Sequence, residues 1–228
     1  MPDASDHAIS IAVDENTHVS GLLCLPPNAK ACYVLAHGAG AGMRHEFMAA
    51  VAAGLADRAI ASLRYQFPYM ERGSRRTDTP PVCHATVRAA VAEASRLTPS
   101  LPLIAGGKSF GGRMTSQAQA TDPLPGVRGL VFLGFPLHPP KSPSDARARH
   151  LYDIQIPMLF LQGTRDELAD LTLLEPLVQR LGARATLKRL EAADHSFHVL
   201  VRSGRTDAEV RNEMLDALTR WVDTVALA

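Results

Sequence analysis

Leu101-Pro102-Leu103-Ile104-Ala105-Gly106-Gly107-Lys108-Ser109-Phe110-Gly111 is an apolar run that ends in the pattern G-x-S-x-G. The run suits a buried strand, and the pattern suits a sharp strand-to-helix turn with a serine at its apex. Flanking glycines tolerate strained dihedrals and close backbone approach that a side chain would obstruct. At average Gly and Ser frequencies, three fixed positions match by chance about 0.08 times in a chain this long. The reading therefore rests on what surrounds them.

The surroundings repeat the strand motif. Short continuous apolar runs occur at Cys32 to Ala36, Ala59 to Leu63, Leu130 to Leu133 and Met158 to Leu161, as expected of strands buried on both faces. Phe47, Val51 and Leu55 recur between them at helical spacing, as do Val87, Val91 and Ala94. This alternation predicts an α/β fold, a mostly parallel twisted sheet with helices on both faces. Ile9, Ile11 and Val13, the turn residues Asp14 to Thr17, and then Val19 to Leu25 predict an antiparallel hairpin at the start. At the end, Thr206-Asp207-Ala208-Glu209 spells a capping box before the stripe Val210, Met214, Leu218, Trp221 and Val225. No repeat or linker divides the chain, so residues 1–228 read as a single domain.

In open parallel sheets ligands bind beyond the carboxyl ends of the strands. Three segments there carry chemistry. His37-Gly38-Ala39-Gly40-Ala41-Gly42 follows one run, Gln162-Gly163-Thr164-Arg165-Asp166 another, and Ala193-Asp194-His195-Ser196-Phe197-His198 follows a more variable strand near Thr186 to Leu190. Serine, acid and histidine come in that chain order, which is one of the known orders for a nucleophile, an orienting acid and a base. A serine hydroxyl needs a base to take its proton, and the base needs an acid to fix its tautomer. Ser109, Asp166 and His195 fill these roles. Asp194 and His198 stay open as alternative acid and base. The backbone N–H groups of Ala39 and Phe110 are candidate donors to an oxyanion. Phe67 and Tyr69 could line an acyl pocket, and Arg75 and Arg76 could attract an acidic substrate.

Other chemistries are poorly served. With 24 basic and 23 acidic residues the net charge is +1, so nothing calls for nucleic acid or an anionic membrane. The histidines and cysteines lack metal-ligand spacing, and His195-x-x-His198 is not H-E-x-x-H. The glycine-rich turn lacks the forms that cradle nucleotide phosphates. Cys24, Cys32 and Cys83 form no disulfide-framework pattern, and the acidic N-terminus lacks the basic region of a signal peptide. No apolar stretch approaches a membrane span. A cytoplasmic protein with a small-molecule partner is expected.

Several further segments carry a resemblance: Arg64-Tyr65-Gln66-Phe67-Pro68-Tyr69-Met70, Gly107 to Arg113, and Gly134-Phe135-Pro136-Leu137-His138-Pro139-Pro140. With the strand-end motifs above, they make the chain resemble the α/β-hydrolase superfamily nearly end to end. More narrowly it resembles a small group of hydrolases distantly related to dienelactone hydrolases. The resemblance implies a Ser109, Asp166, His195 triad, no cofactor, and carboxylic-ester hydrolysis, with thioesters or amides as variants. Dienelactone hydrolases resemble G-x-C-x-G at the turn, whereas this chain has Ser109, which argues against that substrate. The segment after Leu133 is short, so a small or absent lid is expected. A non-catalytic interaction protein on the same scaffold is the competing reading, because fold alone does not establish function.

Overall fold

An antiparallel hairpin opens the chain: β1 (Asp6–Ala12) and β2 (His18–Cys24), with Ile9 opposite Gly21 and Ile11 opposite Val19. The computed structural model describes residues 5–226, so most of the acidic N-terminus considered for targeting lies outside the described residues. After the hairpin come β3 (Ala31–Ala36), α1 (Glu46–Ala56), β4 (Ile60–Tyr65), the single turn α2 (Pro68–Glu71) and α3 (Pro80–Leu97). They are followed by β5 (Leu103–Lys108), α4 (Phe110–Thr121), β6 (Val127–Leu133), β7 (Met158–Gly163), α5 (Leu171–Leu181), β8 (Ala185–Leu190) and α6 (Asp207–Ala226). The eight strands form one sheet in the order β1-β2-β4-β3-β5-β6-β7-β8. Strands β3 to β8 run parallel, and β2 joins β4 antiparallel.

Strand alternation splits the core in two. Cys32, Val34, Leu103, Ala105, Leu130, Phe132, Met158 and Phe160 pack beneath α3, α4 and α5, while Tyr33, Leu35, Ile104, Val131, Leu133, Leu159 and Leu161 pack beneath α1 and α6. Successive side chains point to opposite faces, so a continuous apolar run serves both layers. Each fully buried aliphatic or aromatic side chain contributes about 1.5–3 kcal/mol. The capping box forms reciprocally: the Thr206 N–H donates to Glu209 Oε2 at 2.7 Å, and the Glu209 N–H donates to Thr206 Oγ1 at 3.2 Å.

Strand β5 runs to Lys108, three residues beyond the apolar run that announced it. Gly106 and Gly107 hide this extension from a hydropathy pattern, yet they are what the packing requires. A β-carbon on Gly107, whose φ is +155°, would lie 2.3 Å from the Ala36 carbonyl oxygen on neighbouring β3. The obstruction is backbone and cannot swing aside. Gly107→Ala is therefore expected to lose at least about 3 kcal/mol of stability, read as a lowered urea midpoint or as insoluble protein. A wild-type midpoint would show that β3 and β5 can part without cost.

The connection from β6 to β7 contains a 3-10 stretch, Ala146–Asp153, that buries Ala148 and Leu151 in the α4 side of the core. Among the described residues nothing is inserted there as a lid. No described helix is long and apolar enough to cross a membrane.

Candidate active site

Ser109 sits between β5 and α4 with φ 50° and ψ −115°, a conformation that non-glycine residues adopt only when the surroundings impose it. Three contacts impose it here. The Ser109 N–H donates to the Leu133 carbonyl at 3.1 Å, and the Ser109 carbonyl accepts from the Arg113 N–H at 3.1 Å. A β-carbon on Gly111 would stand 2.5 Å from the His37 carbonyl oxygen, so only glycine lets the start of α4 come this close to the end of β3.

The strand ends bring serine, histidine and acid into one relay. His195 Nε2 lies 2.8 Å from Ser109 Oγ, and His195 Nδ1 lies 2.7 Å from Asp166 Oδ2. The Asp166 side chain is fully buried. Gln162 Nε2 donates to its Oδ2, and the Leu168 N–H donates to its Oδ1 at 2.8 Å. Gln162 is itself held through Oε1, which accepts from the Phe135 N–H at 2.9 Å. Each carboxylate oxygen thus has a partner.

Two residues left open by the sequence find other work. Asp194 Oδ1 accepts from the N–H groups of Ser196 at 2.8 Å and His198 at 3.0 Å, which folds the turn carrying His195. Neighbouring Asp194 therefore shapes the loop and does not touch the His195 ring. His198 pairs its Nδ1 with Asp207 at 2.9 Å, and this bond raises the His198 pKa.

Ala39 and Phe110 bring two unused donors to the site. Phe110 is the first residue of α4, so its N–H has no intrahelical acceptor. Neither the Ala39 nor the Phe110 N–H donates to another group among the described residues. The Ala39 peptide is oriented by His37, which is completely buried. His37 Nδ1 bonds the Gly38 carbonyl at 2.7 Å, and its Nε2 accepts from the Phe67 N–H at 3.0 Å. The pairing demands a neutral ring protonated at Nδ1. In a trans peptide the Gly38 carbonyl and the Ala39 N–H point in opposite directions, so the bond turns the Ala39 N–H away from His37. The role of this ring is not legible in the sequence, because only the fold shows both of its partners.

Burial lowers the His37 pKa to about 4. Its folded value lies below its unfolded value, so its contribution is complete above about pH 6.5 and is lost as pH falls toward 4. Wild type is expected to lose about 3 kcal/mol across that window from this group. His37→Gln, which does not titrate, is expected to lack that loss, so its stability deficit shrinks with falling pH. Urea unfolding at pH 7 and pH 4.5 reads the difference, and a constant gap would remove His37 from the acid response.

A cavity of about 780 Å3 opens beside the relay. Gly38, Ala39, Lys108, Ser109 and His195 line one end; Phe47, Met48, Leu168 and Phe197 form apolar wall. Phe67 and Tyr69 do not line it. They are buried in a cluster with His37 and Phe110, and Tyr69 Oη donates to the Ala39 carbonyl at 2.9 Å. Arg75 and Arg76 are exposed on the loop after α2 and do not line it either. Both segments lie where the sequence placed them, but the cavity runs the other way, toward α1 and the loop of His195. Among the described residues no group of histidine, cysteine and acidic side chains could hold a metal.

A family model described as an alpha/beta hydrolase domain matches residues 29–223, most of the chain and every element of this site. The chain belongs to that family. Solved structures share the α/β-hydrolase fold over nearly their whole length. A dienelactone hydrolase from Anabaena variabilis superposes with a TM-score of 0.77 at 19% identity, covering 97% of this chain and 98% of that one. A serine hydrolase without lid from Xanthomonas campestris gives 0.73 at 19% identity, covering 96% of each chain. An esterase domain from Rhodothermus marinus gives 0.72 at 14% identity, covering 96% and 98%. At these identities the likeness establishes the α/β-hydrolase fold.

Proposed function

We propose that this α/β hydrolase cleaves short-chain carboxylic esters through an acyl-enzyme on Ser109. The observation that carries the reading is the unbroken relay from buried Asp166 through His195 to Ser109 Oγ, at 2.7 and 2.8 Å. His195 Nε2 takes the hydroxyl proton as Ser109 Oγ attacks the ester carbonyl carbon. Asp166 keeps the Nδ1 proton in place and stabilises the imidazolium. The Ala39 and Phe110 N–H groups receive the oxyanion, aided by the positive end of α4. Collapse of the tetrahedral intermediate breaks the carbon–oxygen bond to the alcohol, which leaves with the proton from His195. Water then repeats the sequence on the acyl-serine and restores the enzyme.

The lack of a lid among the described residues favours small acyl groups in solution, with the apolar wall of Phe47, Met48, Leu168 and Phe197 to receive them. Thioesters and amides follow the same course with a different leaving group. The proposal needs no metal or cofactor, and it places the enzyme in the cytoplasm, where the buried thiols of Cys32 and Cys83 would stay reduced. The test is stoichiometric labelling of Ser109 by a fluorophosphonate, together with turnover of p-nitrophenyl acetate. Both are expected in wild type and absent in Ser109→Ala. Folded wild-type protein that neither labels nor turns over would overturn the reading.

A further inference from the structure

Lys108 ends β5, directly before the nucleophile. Alternation along the strand sends it to the face of Ile104, the α1 and α6 side of the sheet. There its Nζ donates to the main-chain carbonyl of His195. The ammonium lies 5.1 Å from the centre of the Phe197 ring and 6.0 Å from that of Phe47, and these two rings stack on each other at 5.7 Å. Gly134, just after β6, is also near: a β-carbon there would lie 3.2 Å from Nζ. No carboxylate among the described residues forms an ion pair with Lys108. A long, flexible side chain is thus confined by two aromatic rings and a glycine, with one backbone oxygen as its hydrogen-bond partner.

That oxygen belongs to the residue whose ring must lie between Asp166 and Ser109. We propose that Lys108 is a positioning residue that clamps the backbone of His195 to the end of the nucleophile strand and thereby sets the imidazole in the relay. Asp166 anchors the ring and Lys108 anchors the main chain behind it. Two anchors restrain the ring more tightly than the Asp166 bond alone. The assignment deepens the hydrolase reading and rests on it for the turnover arm of its test.

The clamp is sensitive to pH. Burial lowers the Lys108 pKa to about 8, against the opposing pull of Asp166 after β7 and Asp194 in the histidine loop. His195 shares the site, and Glu46 of α1 lines the same cavity. Below about pH 8 the bond to the carbonyl is charge-assisted; above it a neutral amine makes the weaker version.

The experiment compares wild type with Lys108→Met, which keeps a flexible apolar stem and removes both charge and donor. Two readouts are followed from pH 6 to 9.5: steady-state hydrolysis of p-nitrophenyl acetate, and the low-field proton resonance of His195 Nδ1–H. The resonance reports the Asp166 bond whether or not an ester is turned over. Lys108→Met is expected to lower kcat by about tenfold to hundredfold, as misplacement of a catalytic group does, with KM little changed. The resonance is expected to broaden in the variant. Wild type should show falling kcat and a broadening resonance above about pH 8, and the variant should show neither change there.

Wild-type kcat and an unmoved resonance in Lys108→Met would overturn the proposal. Should Lys108→Met not fold, Lys108→Gln, whose shorter side chain cannot reach the His195 carbonyl as the lysine does, is read in the same way, and wild-type kcat with an unmoved resonance there would overturn the proposal. Wild-type protein that shows the resonance behaviour but turns over no ester would count against the hydrolase reading and leave the clamp standing.

Discussion

Replacing Ser109 by glycine is expected to stabilise the folded protein by about 1–2 kcal/mol while lowering ester turnover about a million-fold. The two effects share one cause. At φ 50° and ψ −115° the β-carbon of Ser109 is held in a sterically unfavourable conformation, and a strain of this kind costs about 1–3 kcal/mol. The protein carries that strain because it puts the hydroxyl at the head of α4, within 2.8 Å of His195 Nε2. Glycine adopts the same backbone without the steric conflict. Ser109→Ala separates the two terms: it removes the nucleophile and keeps the β-carbon, so activity is expected to fall equally while stability stays within about 0.5 kcal/mol of wild type. Urea unfolding of the three proteins, beside p-nitrophenyl acetate hydrolysis, reads both. Equal stability for the glycine and alanine variants would show that the turn is unstrained; retained turnover in either would remove Ser109 as nucleophile.

The sequence shows its fold most clearly where one physical signal dominates. Alternation in Ile9, Ile11 and Val13 marks the hairpin, continuous apolar runs mark the parallel strands, and the capping box with its apolar stripe marks α6. The end of β5 was obscured because Gly106, Gly107 and Lys108 lack apolar character; their place in the strand is set by the close approach of β3 and β6. Helix α5 carries no such signal, since Pro176 lies inside it. At the site, residue type and position after a strand suffice to nominate Ser109, Asp166 and His195, and the fold brings the three within hydrogen-bond distance. They do not suffice for His37, Lys108 and Gln162. Each acts by holding another group's backbone or carboxylate, and such roles depend on partners 30, 87 and 4 residues away in the chain. The direction of the cavity was equally hidden. Phe67 and Tyr69 have the composition of a pocket wall, but His37 and Phe110 fill the space beside them.

Asp166→Asn should be the more damaging of two matched acid substitutions, lowering kcat about ten-thousandfold with the fold intact. Asparagine preserves the size of the side chain, so the ring keeps its place. Its proton does not. Asp166 Oδ2 accepts from both His195 Nδ1 and Gln162 Nε2, and Leu168 N–H occupies Oδ1. An asparagine has one oxygen for donors on both sides: with it on Leu168, the NH2 faces the ring and also the Gln162 amide, whose hydrogen bond is lost, so Nδ1 must become the acceptor and the imidazole proton moves to Nε2. From there it points at Ser109 Oγ, and a nitrogen that already carries a proton cannot take the serine's. Asp194→Asn provides the contrast. Its Oδ1 serves only the N–H groups of Ser196 and His198, and an amide oxygen accepts both, so kcat is expected within about tenfold of wild type. The pair decides between the two acids that adjoin the histidine in space and in sequence. A larger loss in Asp194→Asn than in Asp166→Asn would transfer the orienting role to Asp194, and equal small losses would mean that neither carboxylate governs the tautomer of His195.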